Sequence, residues 1–292
     1  MLENKSSVLG VAGHVARNVM LGFQQKFLAQ SADRILEPAM VMNVDDQLKQ
    51  YAEGGESGGL AIAYELIIHK FQQIAPEKGQ ALDICSASGV LLSKLAAMRK
   101  DVQFTGIDLA PLALQLGRKR VQSQGLTNVD FKEWDMRRLD SFPEKDFDLI
   151  TWNLAMHHCD STDEVVGVIN GALKLLKKNG VLFICDVERA KTRDLAVRLS
   201  EEMKPYVGDI LYEDTLNSYL AAFTFGEFAQ ILGRTHWQGY EHFHPALGNF
   251  FQFACTKVQH KHPQVSRNTR GKTPLALKID TFLVKNMMLG KM

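Results

Sequence analysis

The sequence predicts an α/β fold, a seven-stranded and mostly parallel sheet with an antiparallel final strand and helices on both faces. Three observations predict it. From Ala81 to about Asp186, short apolar β-prone runs alternate with stretches of helical apolar spacing, the rhythm of a sheet wrapped by right-handed crossovers. The first run passes Asp83 and breaks into five small residues, in ALDICSASG, before helical spacing resumes. Late in the chain, GYEHFHP and FFQFACTK, joined through Ala246, Leu247 and Gly248, read as a closing antiparallel hairpin.

Taken in order, residues 1–55 alternate helical patches with polar breaks. SADRILEPAMVMNVDDQLKQYAEGG opens on a candidate cap, Ser31, and ends at Gly54 and Gly55, so this part reads as a helical N-terminal lid hinged on glycines. SGGLAIAYELIIHKFQQIAPEKG then puts Leu60, Tyr64, Ile67, Ile68 and Phe71 on one face of a helix that Pro76 and Gly79 stop. Strands are expected at 81–84, 102–107, 129–133, 147–152 and 180–185. Residues 188–231 break the alternation as a mostly helical insertion, and the hairpin completes a domain spanning 56–257. In 258–292, Lys261, Arg267, Arg270, Lys272, Lys278, Lys285 and Lys291 face one acid, Asp280. That tail is a solvated segment or, through Leu275, Ile279, Phe282 and Leu283, one able to dock on the core or touch a membrane surface.

The turn after the first strand carries the functional signal. Small side chains at Cys85, Ser86, Ala87, Ser88 and Gly89 let a ligand approach the backbone, and the helix VLLSKLAAM that follows presents free amides to it. This is how a Rossmann-like sheet holds a nucleoside. Nineteen residues after Gly89, Asp108 ends the second strand, where an acid accepts hydrogen bonds from both hydroxyls of a ribose or caps the helix beginning near Pro111.

These residues resemble a class I S-adenosyl-L-methionine-dependent methyltransferase. DICSASG, GIDLAP, FKEWDMRRL, DLITWNLAMHH and LLKKNGVLFICDV stand in the family's order, over about 45–257. The first turn departs from the glycine-rich family pattern: Cys85 has parallels in quinone-biosynthesis-type methyltransferases, and Ala87 is the more unusual residue. Ala87 is expected at negative φ, where a methyl is tolerated, or in a slightly widened turn; at positive φ the methyl strains the turn.

The resemblance implies S-adenosyl-L-methionine as cofactor and assigns candidate contacts to Asp83, Cys85, Ser86, Ala87, Gly89, Asp108 and Leu109. Asp135 is expected at the adenine amino group and Met136 over the ring, or Asp135 is a surface acid beside Arg137 and Arg138. Asn153 and Leu154 fall beneath the sulfonium, and Tyr51 folds over the cofactor or packs in the core. His157, just beyond the fourth strand with His158, is the candidate catalytic base or a helix-packing histidine. Tyr212, Tyr219, Phe223 and Phe225 line an apolar acceptor pocket or fix the insertion to the sheet.

Composition narrows the partners. At 292 residues and 46% hydrophobic content the chain fills one large α/β domain with additions, and a net charge of +1 supplies no field for nucleic acid or anionic membrane. Cys85, Cys159, Cys185 and Cys255 lack C-x-x-C spacing and read as reduced thiols of a cytoplasmic protein. Adjacent His157, His158 and Cys159 lack zinc-ligand spacing, so no metal is expected. No signal peptide is read at the N-terminus, and no apolar run is long enough to span a bilayer. The function expected is methyl transfer to oxygen, nitrogen or carbon of a small, partly apolar acceptor. Two alternatives stand beside it: a catalytically degenerate adenosyl- or partner-binding fold, and an RNA or protein methyltransferase using the basic tail.

Overall fold

A computed structural model describes residues 8–38, 49, 60–204, 207–245 and 250–258. Tyr51, the glycine hinge, the Ala246–Gly248 connection and all but the first residue of the basic tail lie outside the described residues. Helix α1 (Val8–Phe27) is followed by α2 (Ala61–Ile74), β1 (Gly79–Ile84), α3 (Val90–Met98), β2 (Val102–Asp108), α4 (Pro111–Ser123) and β3 (Val129–Glu133). Then come β4 (Phe147–Asn153), α5 (Thr162–Leu175), β5 (Leu176–Val187), α6 (Arg193–Met203), α7 (Asp209–Ala221), α8 (Phe225–Gly233), β6 (Tyr240–Phe243) and β7 (Phe251–Thr256).

The seven strands lie in the order β3-β2-β1-β4-β5-β7-β6, with β7 antiparallel to both neighbours and every other pairing parallel. Side-chain alternation splits the core into two layers. Ala81, Phe104, Leu149 and Phe183 face α2 and α3 through Leu66, Ile67, Phe71, Leu92 and Leu95. Their neighbours Leu82, Ile107, Ile150, Trp152 and Ile184 face α5 and α8 through Val165, Val168, Phe228 and Ile231. Covered on both faces, β4 buries six of its seven residues, which is why it reads as an unbroken apolar run.

The insertion resolves into α6, α7 and α8, with Thr192 and Thr224 capping α6 and α8. Helix α1 packs on it: Leu21 joins Leu195, Leu199, Tyr219 and Leu220 in a separate apolar cluster. Buried Gln25 donates to the Arg189 carbonyl at 3.0 Å and accepts from the Lys191 amide at 3.1 Å. Ser31 does not cap a helix. Its amide and that of Ala32 donate to the Lys191 carbonyl at 2.8 and 3.1 Å, Ile35 donates to Leu220 at 3.1 Å, and the chain stays non-helical through Glu37, which Pro38 also disfavours.

Candidate active site

The sheet order reverses between β1 and β4, and at such a switch point a crevice opens beyond the carboxyl ends of the strands. An open cleft lies there, lined by Asp83 and the turn residues Cys85 to Ser88, by Asn153 and Leu154 at the end of β4, and by Tyr64, Val90 and Leu91.

Backbone conformation concentrates at this cleft. Positive φ recurs at Cys85 (59°), Ala87 (46°) and Gly89 (66°), while Ser86 and Ser88 between them are not left-handed. Such alternation aims successive N–H groups into one concavity. The Ser86 amide donates to Ile107 O, the Ala87 amide to Asp108 Oδ2 and the Gly89 amide to Ser86 O, each at 2.9 Å. The negative φ expected at Ala87 is therefore overturned: tying these amides to the end of β2 requires the left-handed bend whether or not a Cβ is present. Across the cleft Leu154 is also left-handed, at 53°, with its amide on Cys185 O at 2.8 Å. Of the four non-glycine residues with positive φ among the described residues, three line this cleft.

That geometry gives a direct expectation. Ala87→Gly should leave stability unchanged or raise it by up to about 1 kcal/mol, because relief of about 1–2 kcal/mol of left-handed strain outweighs the roughly 0.4–1 kcal/mol of added unfolded-chain entropy. Urea denaturation measures it, and a loss above about 1 kcal/mol would contradict a left-handed Ala87.

Unsatisfied polar atoms converge on the same place. Ser86 Oγ, Ser88 Oγ and both Asn153 amide atoms, four in all, are buried without an aligned hydrogen-bond partner. Each such atom costs about 1–3 kcal/mol unless a ligand or water answers it. Asp83 is buried, with the Thr151 hydroxyl donating to Oδ1 at 2.7 Å. Burial pushes its carboxyl up to about 7, with Thr151 and the neighbouring Asn153 pulling down and the Asp108 charge adding to the rise.

Asp108 accepts from Ala87 N through Oδ2 and from Ala110 N through Oδ1, both at 2.9 Å, so each oxygen retains a lone pair. Burial raises its pKa, opposed by the amides of Ala110, Ala87 and Leu109 and by His158. Met136 is buried against Cys85, with the two sulfurs 3.4 Å apart. Asp135 is not among the residues that line the cleft. Its carboxylate takes the Arg137 side chain at 2.8 and 3.0 Å and the Arg137 amide at 2.9 Å, as a surface acid beside that arginine would.

His157 does not line the cleft. It lies buried beyond Leu154, with Nδ1 2.7 Å from Asp186 Oδ1, its amide donating to Asp186 Oδ2 at 2.8 Å, and Nε2 3.8 Å from Glu37 Oε1. Burial alone would lower its pKa, but Asp186, then Glu37 and Asp214, raise it to about 9, so the ring holds its proton at neutral pH and is opposed as a base. Glu37, despite burial that raises it, is held at about 2 by the His158 ring and the charge of His157, with Ser218 assisting. Arg34 closes the cluster: its guanidinium donates to the carbonyls of Ala221 (2.6 Å), Cys159 (2.5 Å), Asp160 (3.0 Å) and His157 (3.2 Å) and stacks 4.0 Å over Phe223.

The four insertion aromatics do not assemble a pocket. Phe223 lies buried under Arg34, Tyr219 packs in the α1 cluster, Phe225 stacks on His242 and His244, and Tyr212 faces Lys204. Sequence reasoning missed Tyr64 as a cleft residue, since its spacing placed it on a core-facing helix. It also missed Asp186, although an acid at the tip of β5 repeats the signal given by Asp83 and Asp108. Glu37 and Arg34 had no local signal: their partners are more than a hundred residues away.

Fold and cleft together define a class I methyltransferase. The chain belongs to the methyltransferase domain family, whose sequence profile matches residues 76–237. No curated protein matches it. Among solved structures it is similar to a SAM-dependent methyltransferase from Aquifex aeolicus, at 15% identity over 72% of this chain and 96% of that one, with a TM-score of 0.52. It is also similar to the plantazolicin methyltransferase BpumL in complex with SAH, at 14% identity over 74% and 86%, TM-score 0.51. At such identities the likeness shows the fold. The cofactor is S-adenosylmethionine, and the left-handed turn with four buried polar atoms that lack an aligned partner fits such a ligand.

Proposed function

We propose that the protein transfers a methyl group to oxygen, nitrogen or carbon of a small, partly apolar acceptor, with the turn after β1 and the tip of β4 as the cofactor site. The observation that carries it is the meeting of left-handed residues and orphaned polar atoms at the switch point. S-adenosylmethionine supplies a methyl on a sulfonium, so the chain's own work is binding, alignment and exclusion of water.

In this reading Asp108 accepts the ribose hydroxyls, the 85–89 turn lets the cofactor lie against backbone, and the amides of Ser86, Ala87 and Leu109 border it. Met136 covers the adenine, and Asp135 reaches the amino group with a lone pair that Arg137 leaves. Ser86, Ser88 and Asn153 meet the polar groups of the methionine portion, and Leu154 backs the sulfonium. Asp83, just inside the turn, answers the methionine ammonium. The turn holds a glycine-type conformation despite its two side chains, which supports turnover over a degenerate site. Small acceptors are supported by the cover: residues 31–37 are bonded across the insertion and over the chain just beyond Leu154. Four unpaired thiols, three of them buried, support a reducing, cytoplasmic setting, and no helix among the described residues is long and apolar enough to cross a membrane.

Asp83 makes cofactor binding pH-dependent. Its carboxyl stays protonated up to about 7 in the folded protein, against 3.8 ordinarily, so ionising it without a cation is unfavourable and folded-state stability falls as pH rises from about 4 to about 7. A cationic ligand favours the carboxylate and expels the proton. Calorimetry should show S-adenosylmethionine affinity rising with pH up to about 7, by at most about tenfold per unit, levelling off above that, and losing this rise in Asp83→Asn. An affinity independent of pH in the wild type would remove Asp83 from the ligand's surroundings.

To test the acceptor class, protein is incubated with methyl-labelled S-adenosylmethionine and separate small-molecule, RNA and protein fractions. Label in the small-molecule fraction is expected. Label in RNA or protein alone would overturn it.

A further inference from the structure

Outside the cofactor cleft, one cluster brings metal-binding side chains together. His157 Nε2, His158 Nδ1 and a Glu37 carboxylate oxygen lie within 4.8 Å of one another, one ligand atom from each residue. We propose that these three residues bind one divalent transition-metal ion, of zinc or cobalt type, at the junction between the N-terminal segment and the catalytic domain.

The geometry around each imidazole supports it. A histidine that ligates a metal through one nitrogen usually gives the other to a carboxylate, which fixes the ring. His157 is held so: Nδ1 is 2.7 Å from Asp186 Oδ1, and Asp186, with no solvent exposure, is anchored in turn by the His157 amide at 2.8 Å. That bond leaves Nε2 turned toward Glu37, 3.8 Å away. His158 Nδ1 is buried and only 2.6 Å from Glu37 Oε2, yet it meets no partner at a hydrogen-bonding angle. Two imidazoles and one carboxylate match the donor set of three-ligand zinc and related sites, which leave a position for water or an incoming oxygen.

Charge points the same way. Asp186 and Glu37 are two buried carboxylates on either side of His157, 2.7 and 3.8 Å from its ring nitrogens, and a dication held there would face both. Position gives the site a role. Glu37 belongs to the segment that Arg34 straps over Ala221, Cys159 and Asp160, while the histidines follow directly on Leu154 at the cleft. Binding would thus lock cover to core beside the acceptor entrance. The adjacency of His157 and His158 disguises this in the sequence, because ligand spacing is completed by a residue 120 positions upstream of His157.

The test uses the full chain, stripped with a chelator and titrated with Co²⁺. One Co²⁺ per chain with visible d–d absorption, displaced by Zn²⁺, is expected. His158→Ala and Glu37→Gln should each weaken it about tenfold or more, whereas His236→Ala, an exposed histidine bonded only through its backbone to Asn170, should not. No absorption at millimolar Co²⁺, or equal affinity in wild type and both variants, would overturn the site. Should a variant fail to fold, X-ray absorption on the zinc-loaded wild type decides: two imidazole nitrogens support the site, and one or none overturns it. Cofactor binding is measured on the same samples, so failure here is separable from failure of the methyltransferase reading.

Discussion

Asp108→Ala is expected to weaken S-adenosylmethionine binding by about 1.5–3 kcal/mol, roughly ten- to hundredfold, the range for losing charge-assisted hydrogen bonds. The acid ends β2 against the turn, and both oxygens already accept a backbone amide while keeping capacity for a second donor. Removing it also unties Ala87, so part of the loss will be loosening of the turn. Comparing calorimetric affinity with the urea midpoint separates the two. Unchanged affinity in a folded variant would take Asp108 out of the site.

Gly89→Ala should cost about 2–5 kcal/mol of stability, combining left-handed strain with overpacking. A Cβ there would stand 2.5 Å from Phe131 Cζ and 2.9 Å from Cε1, at φ +66°. Gly125 supplies the control, for it has the same φ of +66° and nothing within 4 Å of an added Cβ. Gly125→Ala should therefore show the strain alone, about 1 kcal/mol. Equal costs in urea denaturation would mean that Gly89 is needed only for its backbone angle and that close packing against Phe131 does not set the turn.

The parallel core was legible because period-two burial and helical spacing are local properties, and each predicted strand falls within the observed one, from Val129–Glu133 matched at both ends to the longer Leu176–Val187. Asp83, Asp108 and the small-residue turn were legible because chemistry sits at strand tips. The sign of φ at Ala87 was not, since residue preference pointed to negative φ and the hydrogen bonds from β2 override it. Ser31 misled for a similar reason: a capping residue followed by apolar positions looks helical, but Lys191 and Leu220 supply its segment with backbone partners from the insertion. His157 was singled out as a base by its position beyond β4, but its surroundings depend on Asp186 and Glu37, which no spacing rule joins to it.

The central claim, that the turn after β1 and the tip of β4 hold the cofactor, is tested most directly by hydrogen exchange of the full chain with and without S-adenosylhomocysteine. Protection should rise in peptides covering 82–91, 107–111 and 152–155, where exchange reports local opening. Saturable binding that leaves all three unchanged, with protection elsewhere, would contradict the account.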